Sequence, residues 1–133
     1  MIEDKDINIL LVDDNDIDIV VNTKLLRLAN FKGGIQSFHS GNEVLSYIRS
    51  NAANLVEKVN VLLLDIQMPG IDGFETLQLF EAFDDVIKGK FQVFMLSSSI
   101  DRNDIIRAET NPTIRKVLEK PLDVYLLRRL IEQ

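Results

Sequence analysis

The chain has 133 residues, 46% of them hydrophobic and 27% charged, which is enough for one domain with a full core. Its formal net charge is −6, from 15 basic and 21 acidic residues, and this disfavours nonspecific binding to nucleic acid or to an anionic membrane surface. It has no cysteine, so disulfides, thiol nucleophiles and zinc–thiolate sites are excluded. No apolar run approaches the roughly 18 residues of a membrane span. The polar, acidic start Met1-Ile2-Glu3-Asp4-Lys5-Asp6 is unlike a signal peptide. The expected location is the cytoplasm. The expected organisation is a single domain over residues 1–133, with residues 1–6 as a flexible extension and no attached output domain.

Ile7 to Val12 is the first buried strand, and Asp13-Asp14-Asn15-Asp16 forms a turn and helix start, where acidic side chains suit the positive end of the helix dipole. A helix follows to about Ala29, with Ile17, Val21, Leu25 and Leu28 as its expected core face and Asp18 and Asn22 as a solvated or mutually hydrogen-bonded polar pair beside it. Gly33-Gly34 precedes a short strand, Ile35 to Phe38. The lone His39 lies in a loop as a surface residue, and Ser40-Gly41-Asn42-Glu43 has capping-box spacing. The next helix carries Val44, Leu45, Ile48 and Leu55.

The central stretch runs from Asn60 to Gly73. Its apolar run Val61-Leu62-Leu63-Leu64 is wetted on neither face, as in a central parallel strand, and ends abruptly in Asp65. Met68-Pro69-Gly70 and Asp72-Gly73 break the chain there, with Asp72 as a turn or cap residue. A third helix is anchored by Phe74, Leu77, Phe80 and Phe83 and ends near Gly89. Phe91 to Leu96 is a fourth strand that ends in Ser97-Ser98-Ser99. Asp101 caps a short helix through Ala108. Ile114 to Leu118 reads as an edge strand, because Arg115 and Lys116 interrupt it, and it leads into Glu119-Lys120-Pro121. The last helix starts near Asp123 and presents Val124, Leu127, Leu130 and Ile131.

Five strands alternating with five helices predict a doubly wound parallel α/β sheet. In such sheets ligands bind at the carboxyl ends of the strands. Asp13-Asp14, Asp65 and Ser97 all fall there, with Lys120 just beyond the fifth strand. Clustered carboxylates repel: two like charges about 4 Å apart cost roughly 4 kcal/mol at an effective dielectric of about 20. Protonation, a bound cation or a nearby ammonium relieves that cost. An all-oxygen set suits Mg²⁺, or Mn²⁺. A carboxylate beside such an ion can attack phosphorus, and phosphoryl transfer then needs in-line positioning and charge neutralisation. Asp65 is the natural nucleophile, Asp13 and Asp14 are metal-site residues, Lys120 is a point charge and Ser97 a hydroxyl donor. Each also has an ordinary structural role: Asp13-Asp14 as a cap, Asp65 as a turn residue, Ser97 as a strand-end hydroxyl, Lys120-Pro121 as surface loop. Their conjunction carries the chemistry.

The pieces Ile9-Leu10-Leu11-Val12-Asp13-Asp14, Leu64-Asp65 through Asp72-Gly73, Leu96-Ser97 and Lys120-Pro121 closely resemble the receiver domain of two-component response regulators. The resemblance implies a flavodoxin-like fold with strand order 2-1-3-4-5. It implies that Asp65 accepts a phosphoryl group from a phosphohistidine on a sensor histidine kinase or histidine phosphotransfer protein. It implies that Asp13, Asp14, Asp65 and the backbone carbonyl of Gln67 bind Mg²⁺, and that Ser97 and Lys120 complete the site. It further implies a downstream protein partner, met on the face of the fourth helix, fifth strand and fifth helix. The chain is expected to be a switched binding module, or to relay the phosphoryl group onward to a histidine phosphotransfer domain, with only self-phosphorylation and self-dephosphorylation and no turnover chemistry. Two positions depart from the family. Val117 stands where an inward-rotating Tyr or Phe is usual, and Glu109-Thr110-Asn111-Pro112 replaces a small-residue turn. Gln67 and Ser99 stand at positions that, in the family the chain resembles, tune phosphoryl hydrolysis. The competing readings are a receiver-like scaffold that binds without phosphorylation and an aspartate-nucleophile phosphatase. The latter wants a second aspartate where Gln67 stands.

Overall fold

The computed structural model describes residues 4–98 and 101–132. Asp4–Asp6 form one 3-10 turn leading into the sheet, and Met1, Ile2, Glu3 and Ser99 lie outside the described residues. Five parallel strands, β1 (Ile7–Val12), β2 (Ile35–Phe38), β3 (Val59–Asp65), β4 (Phe91–Ser97) and β5 (Ile114–Glu119), pair in the order β2-β1-β3-β4-β5. This is the expected doubly wound sheet.

Successive strand residues point to opposite faces, so the apolar runs of β1 and β3 feed two cores at once. Leu10, Val12, Leu62 and Leu64 join Val44, Ile48, Phe74 and Phe80 on one side. Ile9, Leu11, Val61 and Leu63 join Ile19, Leu26, Leu127 and Ile131 on the other. The second side is covered by α1 (Asp16–Leu28) and α7 (Val124–Ile131). The first is covered by α2 (Gly41–Ser50), α3 (Ala52–Leu55), α4 (Gly73–Phe80) and α6 (Arg102–Glu109), with α5 (Asp85–Lys88) following α4.

The described residues hold seven α-helices where the sequence predicts five, because two predicted helices are interrupted. Asn51 ends α2: its backbone N–H and its side-chain Nδ2 both donate to the Tyr47 carbonyl, at 3.0 and 2.9 Å. Leu55 therefore sits on its own turn, α3. Beyond Phe80 the chain turns through the extended residue Asp84 before α5. Phe83 still packs edge-on to Phe80, with ring centroids 5.9 Å apart.

The phase of α1 differs from expectation. Its buried residues are Ile19, Asn22 and Leu26, whereas Ile17, Val21 and Leu28 are exposed and Leu25 is half-buried. The helix is apolar on two sides, and the side that faces the sheet contains a polar residue. Asn22 is buried because its Oδ1 accepts the Leu122 backbone N–H at 3.2 Å, so Asn22 ties α1 to the loop after β5. A polar anchor within the core-facing stripe hides the true phase from a count of apolar residues.

At the amino ends of the strands lies a second polar feature. Asn8 Nδ2 donates to Asn60 Oδ1 at 3.2 Å, and Asn60 Nδ2 donates to the carbonyls of Leu55 and Lys90 at 2.7 and 3.2 Å. Both asparagines are buried.

Candidate functional site

The carboxyl ends of β1, β3, β4 and β5 meet in one acidic recess. Backbone hydrogen bonds continue the sheet ladder past the strands and fix its walls. Asp13 N–H donates to the Phe38 carbonyl at 3.0 Å, Ile66 N–H to Leu96 at 3.0 Å, and Lys120 N–H to Ser97 at 2.9 Å. Asp13 directly follows β1, Asp65 ends β3, and Ser97 ends β4; all three are buried. Asp14 is exposed. The Lys120–Pro121 peptide is cis.

The recess contains four carboxylates and one ammonium. Lys120 Nζ donates to Asp13 Oδ2 at 2.7 Å, Asp65 Oδ2 at 3.0 Å and Asp18 Oδ2 at 3.1 Å. The other oxygen of Asp13 accepts the Asn15 N–H at 2.9 Å, and that of Asp65 accepts the Gln67 N–H at 3.3 Å. Burial pushes the Asp65 carboxyl up to about 6. The Lys120 ammonium pulls against this, the Asp13 charge adds to it, and the Gln67 N–H opposes it. Burial works against the charge on Lys120 as well, but its hydrogen bonds to Asp13 and Asp65 prevail and hold the ammonium above the ordinary lysine range.

Asp13, Asp14 and Asp65 each bring one oxygen within 4.8 Å of the others. That oxygen-only donor set, open on the exposed Asp14 side, fits a hard divalent cation. Protons compete with such a cation for Asp65. Divalent-ion affinity is therefore expected to be near its plateau above pH 7 and to fall by up to about tenfold per unit once the pH drops below about 6. Titration calorimetry with Mg²⁺ at pH 7.5 and 5.0 reads this directly. Equal affinities at the two pH values would refute it.

The site residues expected from the sequence thus converge: Asp13, Asp14, Asp65 and Lys120 by direct geometry, and Ser97 by its register beside Glu119 at the strand ends. Two participants were not expected. Asp18 and Asn22 are not a solvated pair: Asp18 bonds Lys120, and Asn22 anchors the loop carrying it. Both partners lie about a hundred residues away, and the only local signal was a polar i, i+4 pair at the first turns of a helix. Asp72 is a cap, as expected, and forms a full capping box with Glu75. His39 is exposed as expected, with Nε2 2.6 Å from Asp16 Oδ1, a contact that raises its pKa. Val117 is half-buried, registers with Met95, and borders a cavity of about 350 Å³ at the sheet edge with Ile114 and Leu130.

Comparison with known proteins agrees with this geometry. The sequence model described as "Response regulator receiver domain" matches residues 9–132. A response regulator receiver protein of Dyadobacter fermentans is 33% identical, with 95% of each chain covered and a TM-score of 0.86. A two-component response regulator of Cytophaga hutchinsonii is 34% identical, with 96% of each chain covered and the same TM-score. A curated relative from Methanothrix harundinacea, named "Probable methanogenesis regulatory protein FilR2", is 28% identical over 94% of this chain and 79% of its own. A family match over nearly the whole length, together with this shared fold at a third identity, places the chain among the receiver domains of two-component response regulators.

Proposed function

We propose that Asp65 is the phosphoacceptor of this receiver. The observation that carries the reading is the convergence of Asp65, Asp13 and Lys120 within hydrogen-bond reach, from three separate strand ends, beside a divalent-cation donor set. One Asp65 carboxylate oxygen attacks the phosphorus of a phosphohistidine. The O–P bond forms, the N–P bond breaks, and its electron pair returns to the donor's imidazole nitrogen. Asp13, Asp14, Asp65 and the Gln67 carbonyl hold Mg²⁺, or Mn²⁺, which when bound neutralises charge on the phosphoryl oxygens. Lys120 supplies a second, mobile positive charge and Ser97 a hydroxyl hydrogen bond. Hydrolysis reverses the state: water attacks phosphorus, the acyl O–P bond breaks and the carboxylate is regenerated. The chain is its own substrate in both steps and turns over no other.

The phosphoryl donor is a sensor histidine kinase or a histidine phosphotransfer protein. Support for its docking place comes from α1. Ile17 and Val20 are 74% and 52% exposed, and the same helix lines a cavity of about 230 Å³ with Asp18, Val21, Lys120 and Pro121. A donor helix seated on that apolar stripe would bring its phosphohistidine to the mouth of the acidic recess. The receiver then acts on a downstream protein, in the cytoplasm. Among the described residues no helix is long and apolar enough to cross a membrane.

The test is intact and peptide mass spectrometry after incubation with Mg²⁺ and acetyl phosphate. A gain of one phosphoryl group is expected on Asp65, absent with a chelator and in Asp65→Asn. If phosphohistidine donors also leave Asp65 unmodified, and beryllofluoride changes nothing, the protein is a scaffold that binds without phosphorylation.

A further inference from the structure

Lys120 has three N–H donors, and all three are engaged by carboxylates. Two of those carboxylates, Asp13 and Asp65, belong to the cation donor set, whereas Asp18 does not. Asp18 projects from the first turn of α1, its side chain 37% exposed, and borders the cavity beside Lys120. A divalent cation and Lys120 both draw on the carboxylates of Asp13 and Asp65. Asp18 is the partner that the ammonium keeps when the other two turn to a metal. A phosphoryl group on Asp65 reverses the competition, because its oxygens and the Asp18 carboxylate then both call on Lys120.

We propose that Asp18 is a positioning residue, acting through Lys120, that sets the balance between cation binding and phosphoryl binding at Asp65. This rests on the reading of Asp65 as phosphoacceptor. The negative charge of Asp18 attracts the cation, repels the phosphoryl oxygens, and retains one of the Lys120 donors they need. Its removal therefore acts on the two ligands with opposite signs. A merely structural role would weaken both together.

Asp18→Asn keeps the shape and an oxygen acceptor but removes the charge, and Asp18→Glu keeps the charge. The experiment uses the full chain, with Mg²⁺ titrated calorimetrically, then beryllofluoride at saturating Mg²⁺. The exchange of the Lys120 ammonium protons is followed by nitrogen-15 NMR in the metal-free protein. In Asp18→Asn, Mg²⁺ affinity is expected to fall by about three- to tenfold and beryllofluoride affinity to rise by a similar factor, the scale of one partly screened charge. Ammonium exchange is expected to quicken. Asp18→Glu is expected to restore both affinities towards wild type. Affinities that fall together, or that do not move in Asp18→Asn while the wild type binds both ligands, overturn this assignment alone. A wild type that binds Mg²⁺ but no beryllofluoride overturns the phosphoacceptor reading and this one with it.

Discussion

Lys120→Met is expected to lose about 2–4 kcal/mol of folding stability at neutral pH and to regain most of it when Mg²⁺ is added. Methionine is similar in length and fills the same space, so the loss is electrostatic. Its removal strips the counter-charge from Asp13 and Asp65, whose side chains are 0% and 5% exposed. Breaking a buried ion pair by deleting one partner costs about 3–5 kcal/mol. Here the cost is smaller, since Asp65 can take up a proton. The sign of the pH dependence follows. The Asp65 carboxyl titrates near 6 in the fold, above the roughly 3.9 of an unfolded chain. The native state therefore binds that proton more tightly, and the stabilisation it brings is full below about 3.9 and lost as the pH rises through 6. Without Lys120 the carboxyl rises further, so the window of loss moves towards neutrality. Urea unfolding at pH 5.5 and 8.0, with and without Mg²⁺, should show the variant gaining stability on acidification and on metal addition. A variant as stable as the wild type, or one that Mg²⁺ does not rescue, would mean the ammonium is not the counter-charge that holds this recess together.

Gly73→Ala should cost about 2–3 kcal/mol and weaken divalent-ion binding at the same time. Helix α4 begins hard against the end of β3, where the Gly73 N–H donates to the Ile66 carbonyl at 2.8 Å. A Cβ at this position would run into the Asp65 carbonyl oxygen and lie 2.9 Å from both Ile66 Cα and Met95 Cε. Two of these three neighbours are backbone, so the clash is relieved by shifting the start of α4 or the strand end that carries Asp65, and the close packing of the two is expected to pass the shift to Asp65. Alanine is otherwise the better helix former, and its propensity alone would add stability. A destabilised protein with lowered Mg²⁺ affinity, measured by thermal unfolding and calorimetry, is the expected pair of results. Unchanged stability would show that α4 slides along the sheet without disturbing Asp65.

The site was legible in the sequence where strand polarity and chain breakers did the placing. Asp65 follows four apolar residues and precedes Met68-Pro69-Gly70, so its place at a buried strand end follows from local pattern alone. Asp13 and Ser97 are placed in the same way. Lys120 was legible because Pro121 closes its strand. The edge position of β5 also came through from its adjacent exposed cations, Arg115 and Lys116, whereas the strand order came only with the resemblance to the receiver family. What sequence missed depends on partners remote in the chain. Asn22 is buried only because Leu122 presents an N–H to it, and Asp18 is a site residue only because Lys120 reaches it. The phase of α1 was hidden by the same polar anchor. The breaks at Asn51 and Asp84 were missed because each falls within a run whose apolar spacing still fits one continuous helix.

The Asn8–Asn60 pair gives the molecule a mechanical asymmetry. Its hydrogen bonds join the amino ends of β1 and β3 to each other and tie β3 to the last residue of α3 and to the loop after α5. They sit beneath the sheet, at the pole opposite the acidic recess. The sheet is therefore built like a cantilever, bolted at one end and loaded at the other. A disturbance at the carboxyl-end loops is therefore expected to move those loops more than the strand roots.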